Sequence, residues 1–156
     1  MNLFKDFEDF INLLQKHKVE YLIVGGYAMG IHSQPRATQD IDIWIKPTNE
    51  NTEKLLSVFN EFGTPDLDLS INDIIKPDIV VHFGNPPLRI DILASIDGIE
   101  FDDAFKNKFI HDLGTIKNVY FISFKDLLKN KRASNRKKDN FDIQWLKDYG
   151  KDSKEI

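Results

Sequence analysis

Leu3, Phe7, Phe10, Ile11 and Leu14 recur at helical spacing, with Lys5, Asp6, Glu8, Asp9 and Asn12 between them. That period predicts an amphipathic helix at the start of the chain. Tyr21-Leu22-Ile23-Val24 is a continuous apolar run of strand length, stopped by Gly25-Gly26. Tyr27 to His32 then predicts a short helix and Gln34-Pro35-Arg36 a loop. From Asp40 to Ile45 the pattern alternates. Because strand side chains have period two, Ile41, Ile43 and Ile45 point one way while Asp40, Asp42 and Trp44 point the other. Pro47 ends that strand. Thr48 or Asn49 can cap a helix carrying Leu55, Leu56, Val58, Phe59 and Phe62 and ending at Gly63.

The second half is less periodic. Asp66 to Pro77 is turn-rich, with one helical turn at Ile71 to Ile75. Ile79 to Phe83 and Leu88 to Leu93 read as two strands that can form a hairpin across Gly84-Asn85-Pro86-Pro87. Phe101 to His111 predicts a short helix and Val119 to Ile122 a last strand. Ser123-Phe124-Lys125-Asp126 has the form of a capping box opening a helix through Leu127 and Leu128. A final helix from about Asn135 to Tyr149 is expected to bury a stripe of Phe141, Trp145 and Leu146. No internal repeat or low-complexity linker interrupts the chain.

Composition narrows the class. At 156 residues, 41% hydrophobic and 29% charged, the chain has the length and balance of one globular domain, expected over residues 1–150 with a polar tail at 151–156. The acidic charges among the first residues do not suit a signal peptide, and no run approaches the ~20 apolar residues of a membrane span. The expectation is a cytoplasmic protein with no membrane partner. With no cysteine, any bound metal must be held by oxygen or imidazole. The net charge of −4 argues against a globally basic nucleic-acid binder.

The acids carry the candidate chemistry. Asp40 and Asp42 project side by side from one strand face, where they can converge on one or two hard cations. Mg²⁺ or Mn²⁺ suits such oxygen donors, and a two-metal site needs a further carboxylate. Asp91, between Ile90 and Ile92, is the natural candidate, because a carboxylate in so apolar a segment requires a partner. Arg89, on the same face, offers the plainer explanation: an ion pair. Gly25 and Gly26 let backbone N–H groups approach an anion at a helix start, although a Gly-Gly pair equally serves a strand-ending turn, and Asp-Ile-Asp-Ile a solvated strand face.

Gly25-Gly26, thirteen intervening residues, Asp40-Ile41-Asp42 and the later Asp91 together resemble the signature of the nucleotidyltransferase superfamily that includes DNA polymerase beta. Val24-Gly25-Gly26-Tyr27-Ala28 with Arg36, Thr38 and the acid pair resembles its small branch related to AbiEii-type toxins. So does Leu127 to Lys131 followed by Arg136-Lys137-Lys138-Asp139 and Asp142. The resemblance runs from Tyr21 to Leu146. It implies an α/β (α+β) nucleotidyltransferase fold: a mixed, twisted sheet flanked by helices, with further helices at the C-terminus. It implies that Gly25 and Gly26 hold the triphosphate, that Asp40, Asp42 and Asp91 ligate Mg²⁺, and that Asp91 helps activate an acceptor hydroxyl. Lys131 and Asp139 match positions tied to nucleotide binding or catalysis. The implied reaction moves an NMP from an NTP to a hydroxyl of a tRNA, a protein or a small molecule, in a setting that includes toxin-antitoxin pairs. Many relatives continue into a larger helical domain, so an acceptor surface supplied by a partner chain is a further expectation.

Lys129, Lys131, Arg132, Arg136, Lys137 and Lys138 place six cations within ten residues. They suit either a solvated helical corner or a phosphate-facing wall in which Lys131 and Arg136 meet the nucleotide. Arg36 and Thr38 lie on the approach to the acids, as loop or phosphate contacts. His32, His82 and His111 lack metal-ligand spacing and are expected to be structural or superficial. Tyr27 and Trp44 suit the core better than a base stack. Two rivals stand beside the enzyme: an inactive member that binds nucleotide or a partner, and a regulatory subunit acting only in a complex.

Overall fold

The computed structural model describes residues 3–36, 38–64 and 70–152. The predicted turns at 66–69 and most of the polar tail lie outside these residues.

The initial helix is α1 (Lys5–Lys16), which buries Phe7, Phe10, Ile11 and Leu14. Strand β1 (Tyr21–Val24) is buried along its whole length, and α2 (Gly25–His32) starts at the first glycine rather than after the pair. β2 (Asp40–Ile45) has the predicted bounds. The Thr48 side chain caps α3 (Asn49–Phe62) by accepting from Asn51 N at 3.2 Å, and Gly63 ends it at φ +87°. After the single turn of α4 (Ile71–Ile75), β3 (Val80–Phe83) and β4 (Arg89–Leu93) form the expected antiparallel hairpin.

The short helix expected within Phe101 to His111 is present, and a strand that the sequence did not reveal follows it. Helix α5 (Phe101–Lys106) occupies the first part, and Phe109 opens a strand, β5 (Phe109–Leu113), paired antiparallel with β6 (Ile116–Phe121). β5 is an edge strand with Phe109 and Ile110 exposed, so no alternation of burial marks it in the sequence.

The six strands lie in the order β3-β4-β2-β1-β6-β5. β1 runs antiparallel to β2 and parallel to β6, and β2 runs parallel to β4, so the sheet is mixed as expected. α1 and α3 pack together, and Phe10 of α1 meets Phe59, Phe62 and Phe83 at centroid separations of 5.2–6.1 Å. Tyr27 and Trp44 are core residues. His32 is buried against the Ile122 carbonyl at 2.7 Å, and burial lowers its pKa, which suits the structural role expected of it.

Two helices complete the chain. Ser123 caps α6 (Phe124–Ser134) by accepting from Asp126 N at 3.1 Å; the returning arm of the predicted capping box does not form. The last helix, α7 (Lys137–Tyr149), corrects the predicted stripe. Its buried residues are Asp139, Asp142 and Leu146, whereas Phe141 is 61% exposed and stacks outward on Trp145. The helix turns its acids inward because cations of α6 and of the loop after α2 await them there. Among the described residues no helix is long and apolar enough to cross a membrane.

Candidate active site

Strand register brings the acids together. Val24, Asp42, Asp91 and His82 are successive partners across β1, β2, β4 and β3, so the three side chains on β2, β4 and β3 share one face and one row of the sheet. Asp40 lies two pairs further along on the same face, opposite Arg89. The neighbouring Ile41, Ile43, Ile90 and Ile92 are buried on the other face, which holds the register: a slip of one residue would bury the carboxylates instead.

Helix α2 begins where this row meets β1. Its N-cap, Val24, offers no side-chain acceptor, so the first N–H groups of the helix are left for another partner. Gly25 has φ +64°, a conformation costly for any residue with a Cβ. A Cβ there would also overlap Oδ2 of Asp42 and lie 2.9 Å from its Cγ. The Asp42 carboxylate therefore rests directly on the backbone of Gly25. Burial, then the charge of Asp91 and of Asp40, push the Asp42 pKa up to about 6.

Asp91, 4% exposed, has strong partners. Arg89 approaches both of its oxygens, Nε to Oδ1 at 2.8 Å and Nη2 to Oδ2 at 3.1 Å, and His82 Nδ1 lies 2.7 Å from Oδ1. Arg89 Nη2 also lies 3.4 Å from Asp40 Oδ2. The ion pair expected for Asp91 is thus present, and it extends to a second acid. His82, expected to be structural or superficial, touches the cluster; only strand pairing reveals that.

The opposite wall is a clamp between α6 and α7. Lys131 Nζ lies 3.1 Å from Asp142 Oδ2 and 3.5 Å from Asp139 Oδ1, with all three residues buried. Arg36 donates to Asp142 Oδ1 at 3.0 Å, and Arg136 Nε to Asp139 Oδ2 at 2.9 Å. Burial works to raise the Asp139 pKa, but the hydrogen bond from Arg136 and the charge of Lys131 hold it below the usual carboxylate range. Three cations meet two carboxylates, which leaves one positive charge in excess on this wall. The Arg136 backbone N–H also donates to Asp139, so the cation at the start of α7 is answered by an acid in its first turn.

Between the walls lies a cleft of about 790 Å³. Gly25, Gly26, Arg36, Thr38, Asp40, Asp42, Asp91, Lys131 and Arg136 all line it. Asp139 does not: it is fully buried beneath and reaches the cleft only through the cations it holds. Thr38 shapes the approach, its Oγ1 bonding both the carbonyl and the N–H of Asp40. Asn130, within the Leu127 to Lys131 segment, also lines the cleft, as do Asp78, Ser95 and Asp97, which no motif announced. A cavity of about 860 Å³ between α1, the end of α3 and the β3–β4 turn has none of the three acids in its lining.

The donor set fits a hard divalent cation. Three carboxylates from adjacent strands face one cleft, and the repulsion at Asp42, which Lys131 offsets only in part, is one that a cation would relieve. Among the described residues no three His, Asp or Glu side chains are already gathered closely enough to hold a metal ion by themselves.

A family described as "Nucleotidyltransferase of unknown function (DUF6036)" matches residues 1–147. The chain belongs to that family. The nucleotidyltransferase is similar in fold to the lincosamide antibiotic adenylyltransferase LnuA, crystallised with lincomycin (18% identity, TM-score 0.56, 94% of this chain and 98% of that one). It is also similar in fold to the Thermotoga maritima protein TM1012 (16%, 0.57, 91% of each). A third neighbour is ANT(2")-Ia in complex with adenylyl-2"-tobramycin (12%, 0.57, 91% of this chain and 86% of that one). No curated protein matches the chain in sequence.

Proposed function

We propose that this nucleotidyltransferase moves an NMP from an NTP to a hydroxyl on a small molecule, with Mg²⁺ held by Asp40, Asp42 and Asp91. The observation that carries the reading is the register pairing of Asp42 with Asp91, beside the uncapped start of α2. The N–H groups at Gly25 and Gly26 face the triphosphate, and the excess positive charge of the Arg36, Lys131 and Arg136 wall offsets its negative charge. Asp139 and Asp142 are positioning residues that hold those cations still. The acceptor oxygen attacks the α-phosphorus, the bond to the bridging oxygen of the β-phosphate breaks, and pyrophosphate leaves. Asp91 takes the hydroxyl proton. The divalent ion supplies charge neutralisation at the reacting phosphate. Little covalent chemistry is asked of the protein beyond positioning and charge.

A small-molecule acceptor is favoured over tRNA or protein by the neighbours crystallised with lincomycin and with adenylyl-tobramycin. The test incubates the protein with each α-labelled NTP, ATP first, Mg²⁺ and one of three acceptor pools: polyhydroxylated small molecules, total tRNA, or cell protein. Label is expected on the small molecules. Label on tRNA or protein alone replaces the acceptor class, and bound nucleotide with no transfer to any pool supports the inactive reading.

Gly26 probes the phosphate role separately. A Cβ there would meet the Thr38 side chain at an ordinary 3.6 Å, and Ala is the better helix former. Gly26→Ala is expected to melt at or slightly above the parent while the KM for NTP rises several-fold, because the methyl group stands where the phosphate approaches. An unchanged KM removes Gly26 from the phosphate site.

A further inference from the structure

Arg89 occupies an unusual place for a strand ion pair. It stands on β4 directly opposite Asp40 on β2 and two residues before Asp91, so its guanidinium lies between acids from two strands. It engages both oxygens of Asp91, at 2.8 and 3.1 Å, and reaches Asp40 Oδ2 at 3.4 Å. Those oxygens include the ones proposed above to hold a divalent ion. With His82 on Oδ1 as well, three of the roughly four lone-pair sites of Asp91 are occupied, so a hard cation that takes more than one of them must displace the guanidinium. The side chain is 49% exposed while the Asp91 side chain is 6% exposed. The acid is buried in the sheet, whereas the guanidinium sits at its surface.

We propose that Arg89 is the resident counter-ion of the acid cluster, holding Asp40 and Asp91 together until the metal-nucleotide complex displaces it. This rests on the metal role proposed for those acids. Displacement couples two events: Asp91 gives up the guanidinium, and so becomes able to accept a proton, only when nucleotide and metal arrive. The freed guanidinium stays at the rim of a cleft that has just received a polyanion, and the triphosphate becomes its new partner.

The test measures Mn²⁺ binding to nucleotide-free protein by calorimetry, for the parent, Arg89→Ala, Arg89→Gln, Asp42→Asn and the Arg89→Ala/Asp42→Asn double variant. Both Arg89 variants are expected to bind Mn²⁺ about tenfold more tightly than the parent, the gain expected when a competing charged hydrogen bond is removed. The double variant is expected to lose that gain. Thermal melts supply a second readout: without metal the Arg89 variants melt lower, and Mg²⁺ restores them by more degrees than it raises the parent. An Arg that is purely structural predicts a deficit that metal does not repair. Equal or weaker Mn²⁺ binding in the Arg89 variants, with binding still lost in Asp42→Asn, overturns the counter-ion role and leaves the metal site standing. Absence of Mn²⁺ binding in every protein, even with a non-hydrolysable NTP, overturns both.

Discussion

Replacing Asp42 by Asn is expected to lower nucleotidyl transfer on the order of a thousandfold, the scale seen when an electrostatic element of an active site is removed. The same change is expected to leave the metal-free protein as stable as the parent, or up to about 1–2 kcal/mol more stable, because it takes away a charge that the fold holds unfavourably. The cause is on the sheet: Asp42 is partly buried, Asp91 faces it across the strand pair, and Asp40 lies on the same strand face. Asn keeps the shape and removes the repulsion. Transfer assays and thermal melts in chelator-treated buffer check both halves. A variant that loses activity by losing stability would show that Asp42 is structural. One that keeps both would place the chemistry elsewhere.

Gly25→Ala should fail for a different reason. The left-handed backbone costs a residue with a Cβ about 1–2 kcal/mol, and overlap with the Asp42 carboxylate adds roughly 1–3 more. A fall in melting temperature of roughly 5–15 °C follows for a chain of this size. Transfer is lost with it, because relief of the overlap pushes the carboxylate out of the row it shares with Asp91. The double variant Gly25→Ala/Asp42→Ala separates the contributions: it recovers the overlap and not the backbone strain. The reference is Asp42→Ala alone, and a double variant as stable as that single one would mean that the positive φ costs nothing.

Most of the strands and helices that build the site were legible because their periods are clean. Asp40 to Ile45 alternates along its whole length, Leu3 to Leu14 holds one helical face, and Thr48 and Gly63 bound α3 with their own side-chain and backbone chemistry. The acids could be grouped because two of them lie on one strand and the third in an apolar segment that gives it no other reason to be there. The illegible parts depend on partners distant in sequence. Phe109 and Ile110 lie on an edge strand with neither alternation nor burial to report it. Phe141 was expected inside because it is apolar, yet α7 turns Asp139 and Asp142 inward, since Lys131, Arg36 and Arg136 make ion pairs there that no reading of α7 alone anticipates. His82 enters only through the pairing of β3 with β4, and Asp97 through a loop that Asn130 of α6 holds by its carbonyl.

The two glycines answer to different masters, and that difference has a use in comparing descendants of this chain. Gly25 is demanded by its own backbone angle, so a lineage that abandoned catalysis and kept the fold would still retain it. Gly26 has an ordinary conformation and room for a methyl group, so nothing in the fold defends it. Under relaxed selection it is the position where drift would show first. A glycine at 25 followed by a side chain at 26 would mark a copy that has kept its architecture and given up its ligand.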